Sequence, residues 1–368
     1  MKKSKNPLSK TFSSLLLCKA AILNSKSGIA EANTFSGTVE ADPLYTSAIT
    51  LDGDTVMNGT SVVFDANATI DGAHNLSANI SSDTTFNGTI GGSTPLSSII
   101  IGSDDISINA NVTTIGEQTY QSYSGGSGAI ELNGSFTTSD SSISLLGQGT
   151  SGVSLGLSGD TTIDVGTAEF SIQKGSGAPS GGIIYSEGKS DVYNLSITAG
   201  NITVPDGIGV AGSLGVASPQ LGDFTINGAG QVGLDTSQVV TSGDFISNPL
   251  LRIYQDTTLT SGAGSINLTQ GVNNGSKTLV LGDANQTGDI FIGGLQVRHL
   301  EVGAGAFDLE LNASMHLATN MTAATEFRNT GNLTLYAQGS SFFGGIDATS
   351  TSMTYLAGCL ATFGKDIT

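Results

Sequence analysis

The sequence predicts an all-β solenoid of stacked coils, and three observations carry that prediction. First, short β-type phrases recur about every ten residues, as in repeating strand folds. They include Ala48-Ile-Thr-Leu51, Ser61-Val-Val-Phe64, Leu96-Ser-Ser-Ile-Ile-Ile101, Ala129-Ile-Glu-Leu132, Ser142-Ile-Ser-Leu-Leu146 and Thr161-Thr-Ile-Asp-Val165. Apolar residues alternating with small polar ones describe strands buried on one side and wet on the other. Second, turn formers separate the phrases: Asn-Gly at 58–59, 87–88, 133–134, 227–228 and 274–275, and Asp-Gly at 52–53, 71–72 and 206–207. These dipeptides supply the positive φ that tight corners need. Third, two distant 39-residue segments, 54–92 and 256–294, read alike. Each opens on Asp-Thr (Asp54, Asp256) and closes on Ile-Gly-Gly (Gly92, Gly294). Glu117-Gln-Thr-Tyr120 through Thr138 resembles the entry to a third such unit. Self-similarity of this length points to an array.

A single three-strand coil has one apolar stripe and cannot bury it alone. Coils piled at the strand spacing of roughly 4.8 Å gain ladder hydrogen bonds above and below. Their inward Ile, Leu, Val and Phe then form continuous interior columns. The same dipeptides also mark hairpins, so a β-sandwich or barrel is the structural rival. The repeat, the low proline count of seven and the lack of long crossovers favour the solenoid. With coils of roughly 20–25 residues, positions 33 to 340 give on the order of 13 coils and ~60 Å of length.

Taken in order, residues 1–32 read as a signal peptide. Met1–Lys10 carries four lysines, an apolar run follows, and Ala30-Glu-Ala32 offers small residues at a cleavage site. Lys19 interrupts the apolar run. Residues 33–340 form the expected β-helix, with a looser Gly/Ser-rich excursion near 172–222. Residues 341–368 read as an incomplete coil. Apolar Phe342, Phe343 and Met353–Cys359 lack a polar cap, so further chain or another protein is expected to cover them. No stretch approaches the 18 apolar residues of a transmembrane helix.

Composition narrows the function classes. The chain has 368 residues, 51 of them glycine, no tryptophan and 12% charged residues. A 38% hydrophobic fraction placed at strand spacing separates it from disordered tracts. The formal charge is −18, and six lysines sit in the first 26 residues, so the body is more acidic still. Such a body has no basic stripe for phosphates, which argues against nucleic-acid binding, and an anionic membrane would repel it. Acidity here serves solubility. Two cysteines, Cys18 and Cys359, leave one thiol after leader removal and no internal disulfide.

Chemistry-bearing motifs are sparse. His74, His299 and His316 are scattered, without ligands at metal spacing. Asp104-Asp105 beside Ser103 has the residue types of a calcium site or a glycosidase pair, but no basic residue lies nearby and a polar turn accounts for it. Gly175–Gly182 lacks the following Lys-Ser/Thr of a phosphate loop, and Gly207–Gly212 lacks the strand–helix context of a dinucleotide fingerprint. Asn-x-Ser/Thr triplets abound (Asn58, Asn67, Asn87, Asn111, Asn133 and others), as an Asn/Ser/Thr-rich chain generates without glycosylation. Thr-x-Thr pairs are too irregular for an ice-binding face. No catalytic, cofactor-binding or metal-ligating residue is assigned, and no cofactor is expected.

Several phrases resemble the repeats of large bacterial surface proteins, the filamentous-haemagglutinin-like adhesins and autotransporter passengers. They are Ile70-Asp-Gly-Ala-His-Asn-Leu-Ser-Ala-Asn-Ile80, Thr84-Thr-Phe-Asn-Gly-Thr-Ile-Gly-Gly92, Ser93-Thr-Pro-Leu96, Gln118-Thr-Tyr120 and Asp256-Thr-Thr-Leu259. The resemblance covers roughly residues 45–340. It implies a right-handed parallel β-helix, export through an outer-membrane transporter, and a secreted or cell-surface location. Adhesion or a scaffold role is implied too, with a host or neighbouring-cell receptor or glycan as partner. The sequence departs from the family in lacking the Asn-Pro motifs of two-partner secretion and a C-terminal barrel; Asn248-Pro249-Leu250 is a partial echo. The expected function is therefore a non-enzymatic stalk or adhesin. The alternatives are a β-helix polysaccharide lyase or hydrolase and a self-assembling surface-layer segment.

Overall fold

The structure is a computed structural model. It describes residues 33–368 except 124–126, 149–151, 174–182, 187–191, 205–206, 209–219, 229–230, 313–314, 318–323, 343 and 362–366. The chain divides into Met1–Glu31 and Ala32–Thr368, and the expected leader with Cys18 lies outside the described residues.

The second unit is a parallel β-solenoid of about 12 turns, with strands and no helix among the described residues. Each turn visits three faces. The first face carries Val62–Phe64, Asp83–Phe86 and Asp105–Ile108 in successive rungs. The second carries Phe224–Asn227, Phe245–Ser247, Ile266–Leu268 and Ile290–Ile292. The third carries Asn75–Ile80, Ser98–Ser103, Gln118–Ser122 and Ile143–Gly147. Every strand pairing among the described residues is parallel, which removes the hairpin rival. Long strands such as Ile49–Gly59 and Ser127–Thr137 turn a corner with a register shift and so serve two faces.

Alternation places one residue in two inside, and these stack rung on rung. On the first face Phe64, Phe86, Ile108, Leu132 and Leu157 form one such column, all fully buried. Its lower end is an aromatic pile: Tyr45–Phe64 at 4.9 Å and Phe64–Phe86 at 4.4 Å between ring centroids, with nearly parallel ring planes. Parallel pairing brings equivalent positions of successive rungs into contact, so inward apolar residues stack on inward apolar residues. Among the described residues, buried side-chain polar atoms are hydrogen-bonded except Asn329 Oδ1. Tyr120 donates its hydroxyl to Gln118 Oε1 (2.9 Å), and Gln118 Nε2 donates to the Thr137 carbonyl (3.0 Å). Burial pushes the Tyr120 phenol far upward.

Two expectations need correction. The 39-residue segments are not in phase. Thr55 enters the third face, pairing with Leu76, whereas Thr257 enters the first, pairing with Leu279. All three faces obey the same inward–outward alternation, so phrases from different faces look alike. Corner glycines also act in two ways. Gly72 has φ +135° and a Cβ there would meet the Leu51 carbonyl at 2.4 Å. Gly88 adopts no positive φ; a Cβ would lie 2.5 Å from the Ala68 carbonyl, so close rung contact requires it.

Within 172–222, Ile183–Ser186, Leu195–Thr198, Asn201–Thr203 and Gly207–Ile208 pair as ordinary rungs. Extra chain is nevertheless accommodated there. Equivalent corner residues are 34 apart at Asp160/Asn194 and 29 apart at Asn194/Asp223, against 21 at Asp223/Asp244. Gly175–Gly182 and residues 209–212 lie outside the described residues, while Gly207–Ile208 is plain strand. In 341–368, Met353–Ala361 pairs with Asn332–Ser341 and Ile346–Asp347 with Thr325–Glu326, so regular rungs continue there. Phe342 is buried beside Phe327.

Candidate binding surfaces

With the interior filled, recognition falls to the outward columns and the corners. The corner between first and second faces is a polar ladder. Asp160 Oδ1 accepts the Asn194 amide, Asn194 Oδ1 the Asp223 amide, Asp223 Oδ1 the Asp244 amide and Asp244 Oδ1 the Ser265 amide, at 2.8–2.9 Å. Asp289, Asp308 and Asn332 continue the motif (3.1 and 2.7 Å). Each side chain satisfies a backbone donor of the next rung that the bend leaves without a ladder partner. Asp and Asn are thus interchangeable acceptors, and much of the chain's acidity is built into its corners.

Among the described residues the surface carries shallow depressions, two of them of about 350 Å³ each. One runs across rungs of the second face beside the ladder, lined among others by Asn267, Asp289, Phe291, Asp308, Glu310 and Thr334. Phe291 points outward there, between buried Ile290 and Ile292.

The other lies on the first face. Register places Glu301, Glu326 and Asp347 in one outward column on successive rungs, through the Val302–Phe327 bridge and the Glu326–Asp347 pair. Arg328 Nε and Nη2 both donate to Glu326 Oε2 (2.9 and 2.5 Å), and the His299 ring lies 3.4 Å from Glu301. Glu326 holds the Arg328 guanidinium protonated even more firmly than usual. These acids are 25 and 21 residues apart in sequence, a spacing that means nothing until the rung offset is known. That is why sequence reading passed over them.

Asp347 Oδ1 accepts both the amide (3.0 Å) and the hydroxyl (2.7 Å) of Thr349, and chiefly the amide bond lowers its carboxyl below the ordinary value. A depressed folded-state value stabilises above the unfolded value, and that stabilisation is lost as pH falls through the folded one. Thr349→Val keeps the amide donor and removes the hydroxyl. A carboxyl-carbon NMR titration should show the Asp347 midpoint moving up toward the ordinary value; an unchanged midpoint would show the hydroxyl to be idle.

The residues singled out in the sequence do not assemble into one centre. His74 sits half-exposed on a corner, 3.9 Å from Asp54. His299 joins the first-face column, and His316 pairs through its backbone with Gln296, its side chain outside the described residues. Asp104 and Asp105 occupy a third-to-first corner. Ser103 beside them is buried, its hydroxyl donating to the Ser82 carbonyl, and Asp105 lies one rung above Asp83. Among the described residues no three metal-binding side chains converge, and no helix is long and apolar enough to cross a membrane. No family model, curated protein or solved structure matches this chain.

Proposed function

We propose that the chain is an exported, cell-surface rod of the adhesin or stalk type, which presents recognition surfaces on a rigid β-solenoid and performs no catalysis. One observation carries this reading: an interior packed with fully buried columns from rung to rung, so that only corners and outward columns remain for other molecules. Stacked rungs resist bending because every rung is hydrogen-bonded to two neighbours. The acidic exterior keeps such rods apart in solution. The partner is a receptor or glycan on another cell, and the export route is an outer-membrane transporter. Brief protease treatment of intact producing cells tests this: the chain should be shed or cleaved while cytoplasmic markers survive. Complete protection, with the chain in the cytosolic fraction, overturns it.

A second reading rests on the Glu301–Glu326–Asp347 column with Arg328 beside it. Several acids plus a cation on one face of a β-helix is the arrangement a polysaccharide lyase or hydrolase needs, as acid, base and neutraliser of charge on the sugar. If the column acts this way, the chain releases new sugar ends from a polysaccharide panel and Glu326→Gln lowers the rate at least 100-fold. No release from any polysaccharide leaves the rod.

A further inference from the structure

Fifteen of the 23 asparagines have Ser or Thr two positions later. Strand alternation accounts for part of this, because an outward residue has outward neighbours at i±2 and these are often Ser or Thr. Aspartate, which shares the corner positions, measures that background: nine of 22 have Ser or Thr at the same offset. The asparagines exceed it, and the structure shows which of their amides are free to react.

We propose that Asn111, Asn194 and Asn267 are acceptors for N-linked glycosylation, taking a sugar activated as a glycosyl diphosphate. All three are exposed. In each triplet the middle residue, Val112, Leu195 or Leu268, is buried, so the asparagine and the hydroxyl of Thr113, Ser196 or Thr269 share the outer surface. Asn111 Oδ1 accepts the Ser135 amide (2.9 Å) and Asn194 Oδ1 the Asp223 amide (2.8 Å), which fixes each amide group by its oxygen. At Asn267 the triplet's own Thr269 hydroxyl lies 3.4 Å from Oδ1 and shares its proton with Asn248 Oδ1 at 3.3 Å. Nδ2 of all three makes no hydrogen bond to the described residues. The depression lined by Asn267 and Phe291 leaves room for a first sugar ring against the aromatic face.

In the transfer, Nδ2 bonds to the anomeric carbon and the bond from that carbon to the diphosphate oxygen breaks. The electron pair leaves with the diphosphate, and one Nδ2 proton passes to a base of the transferring enzyme. The same geometry excludes other triplets. Asn332 Nδ2 donates to Asp308 Oδ2 (3.0 Å) and Asn274 Nδ2 to the Ile253 carbonyl (2.5 Å), and both side chains are half-buried.

The test is peptide mapping by mass spectrometry, with electron-transfer fragmentation, of the full chain purified from the cells that make it. Two variants accompany it: Asn194→Asp, whose carboxylate matches Asp160, Asp223 and Asp244 in the same ladder, and Ser196→Ala. Sugar increments are expected on Asn111, Asn194 and Asn267. Both variants should lose at least 90% of occupancy at 194 alone. A single monosaccharide per site identifies a nucleotide-linked donor, and a preassembled oligosaccharide a lipid-linked one. Bare asparagines at all three positions overturn the proposal. So does sugar near 194 that persists in Asn194→Asp, or equal occupancy at Asn274 and Asn332.

Discussion

Phe64→Ala is expected to cost about 3–5 kcal/mol and to unfold the N-terminal rungs before the rest. Phe64 is fully buried between Tyr45 and Phe86, with centroids 4.9 and 4.4 Å away. Truncation removes one ring from the middle of the pile and leaves a cavity that neighbouring rungs cannot close, because ladder hydrogen bonds fix their spacing. A solenoid distributes this loss unevenly: each rung contacts only its neighbours, so stability is a sum of local terms. Hydrogen exchange should therefore show protection falling across Asn33–Phe86 and persisting from Phe224 onward. Phe291→Ala provides the comparison. That ring points outward, and its loss should change stability by less than about 1 kcal/mol. Uniform loss of protection along the chain in Phe64→Ala would mean one cooperative globule and would contradict nearest-neighbour energetics.

The strand phrases were legible because a one-sided strand has only one way to be written. In Leu96–Ile101 the buried Ile99 and Ile101 flank exposed Ile100, and in Ala129–Leu132 the buried Ile130 and Leu132 flank half-buried Glu131. Parallel stacking was legible from succession without crossovers. Phase was not. Thr55 and Thr257 open similar phrases on different faces, because nothing in a four-residue alternation records which side of the triangle it occupies. The surface was less legible for the same reason. Glu301, Glu326 and Asp347 become neighbours only through register, and the Asp160–Asn194–Asp223–Asp244 ladder joins residues 34, 29 and 21 apart. Variable turn length, absorbed at corners, breaks any fixed period that a sequence search relies on.

Gln286 shows how a corner imposes a polar residue on the interior, and Gln286→Leu is expected to be almost as damaging as the loss of Phe64. The side chain is fully buried, and its amide joins two turn segments, 261–264 and its own at 286–288. Oε1 accepts the Ser261 amide (2.8 Å), while Nε2 donates to the Ser261 hydroxyl (2.9 Å) and to the carbonyls of Gly264 (3.0 Å) and Gly288 (2.7 Å). Leucine fills nearly the same volume, so packing is not what fails. The Gly264 carbonyl retains the Ser261 hydroxyl as donor. The Ser261 amide and the Gly288 carbonyl lose the partner that Gln286 gave them, in a space too tight for a side chain: a Cβ on Gly288 would lie 1.9 Å from the Gly264 carbonyl. Two stranded backbone groups cost about 2–6 kcal/mol together. Gln270→Leu, on the exposed corner between second and third faces, should stay within about 0.5 kcal/mol of the parent. Denaturant unfolding followed by exchange at Ser261 and Ile266 separates the two outcomes. If Gln286→Leu unfolds at the parental midpoint with those amides still protected, water has replaced the side chain, and burial at this corner is looser than its hydrogen bonds imply.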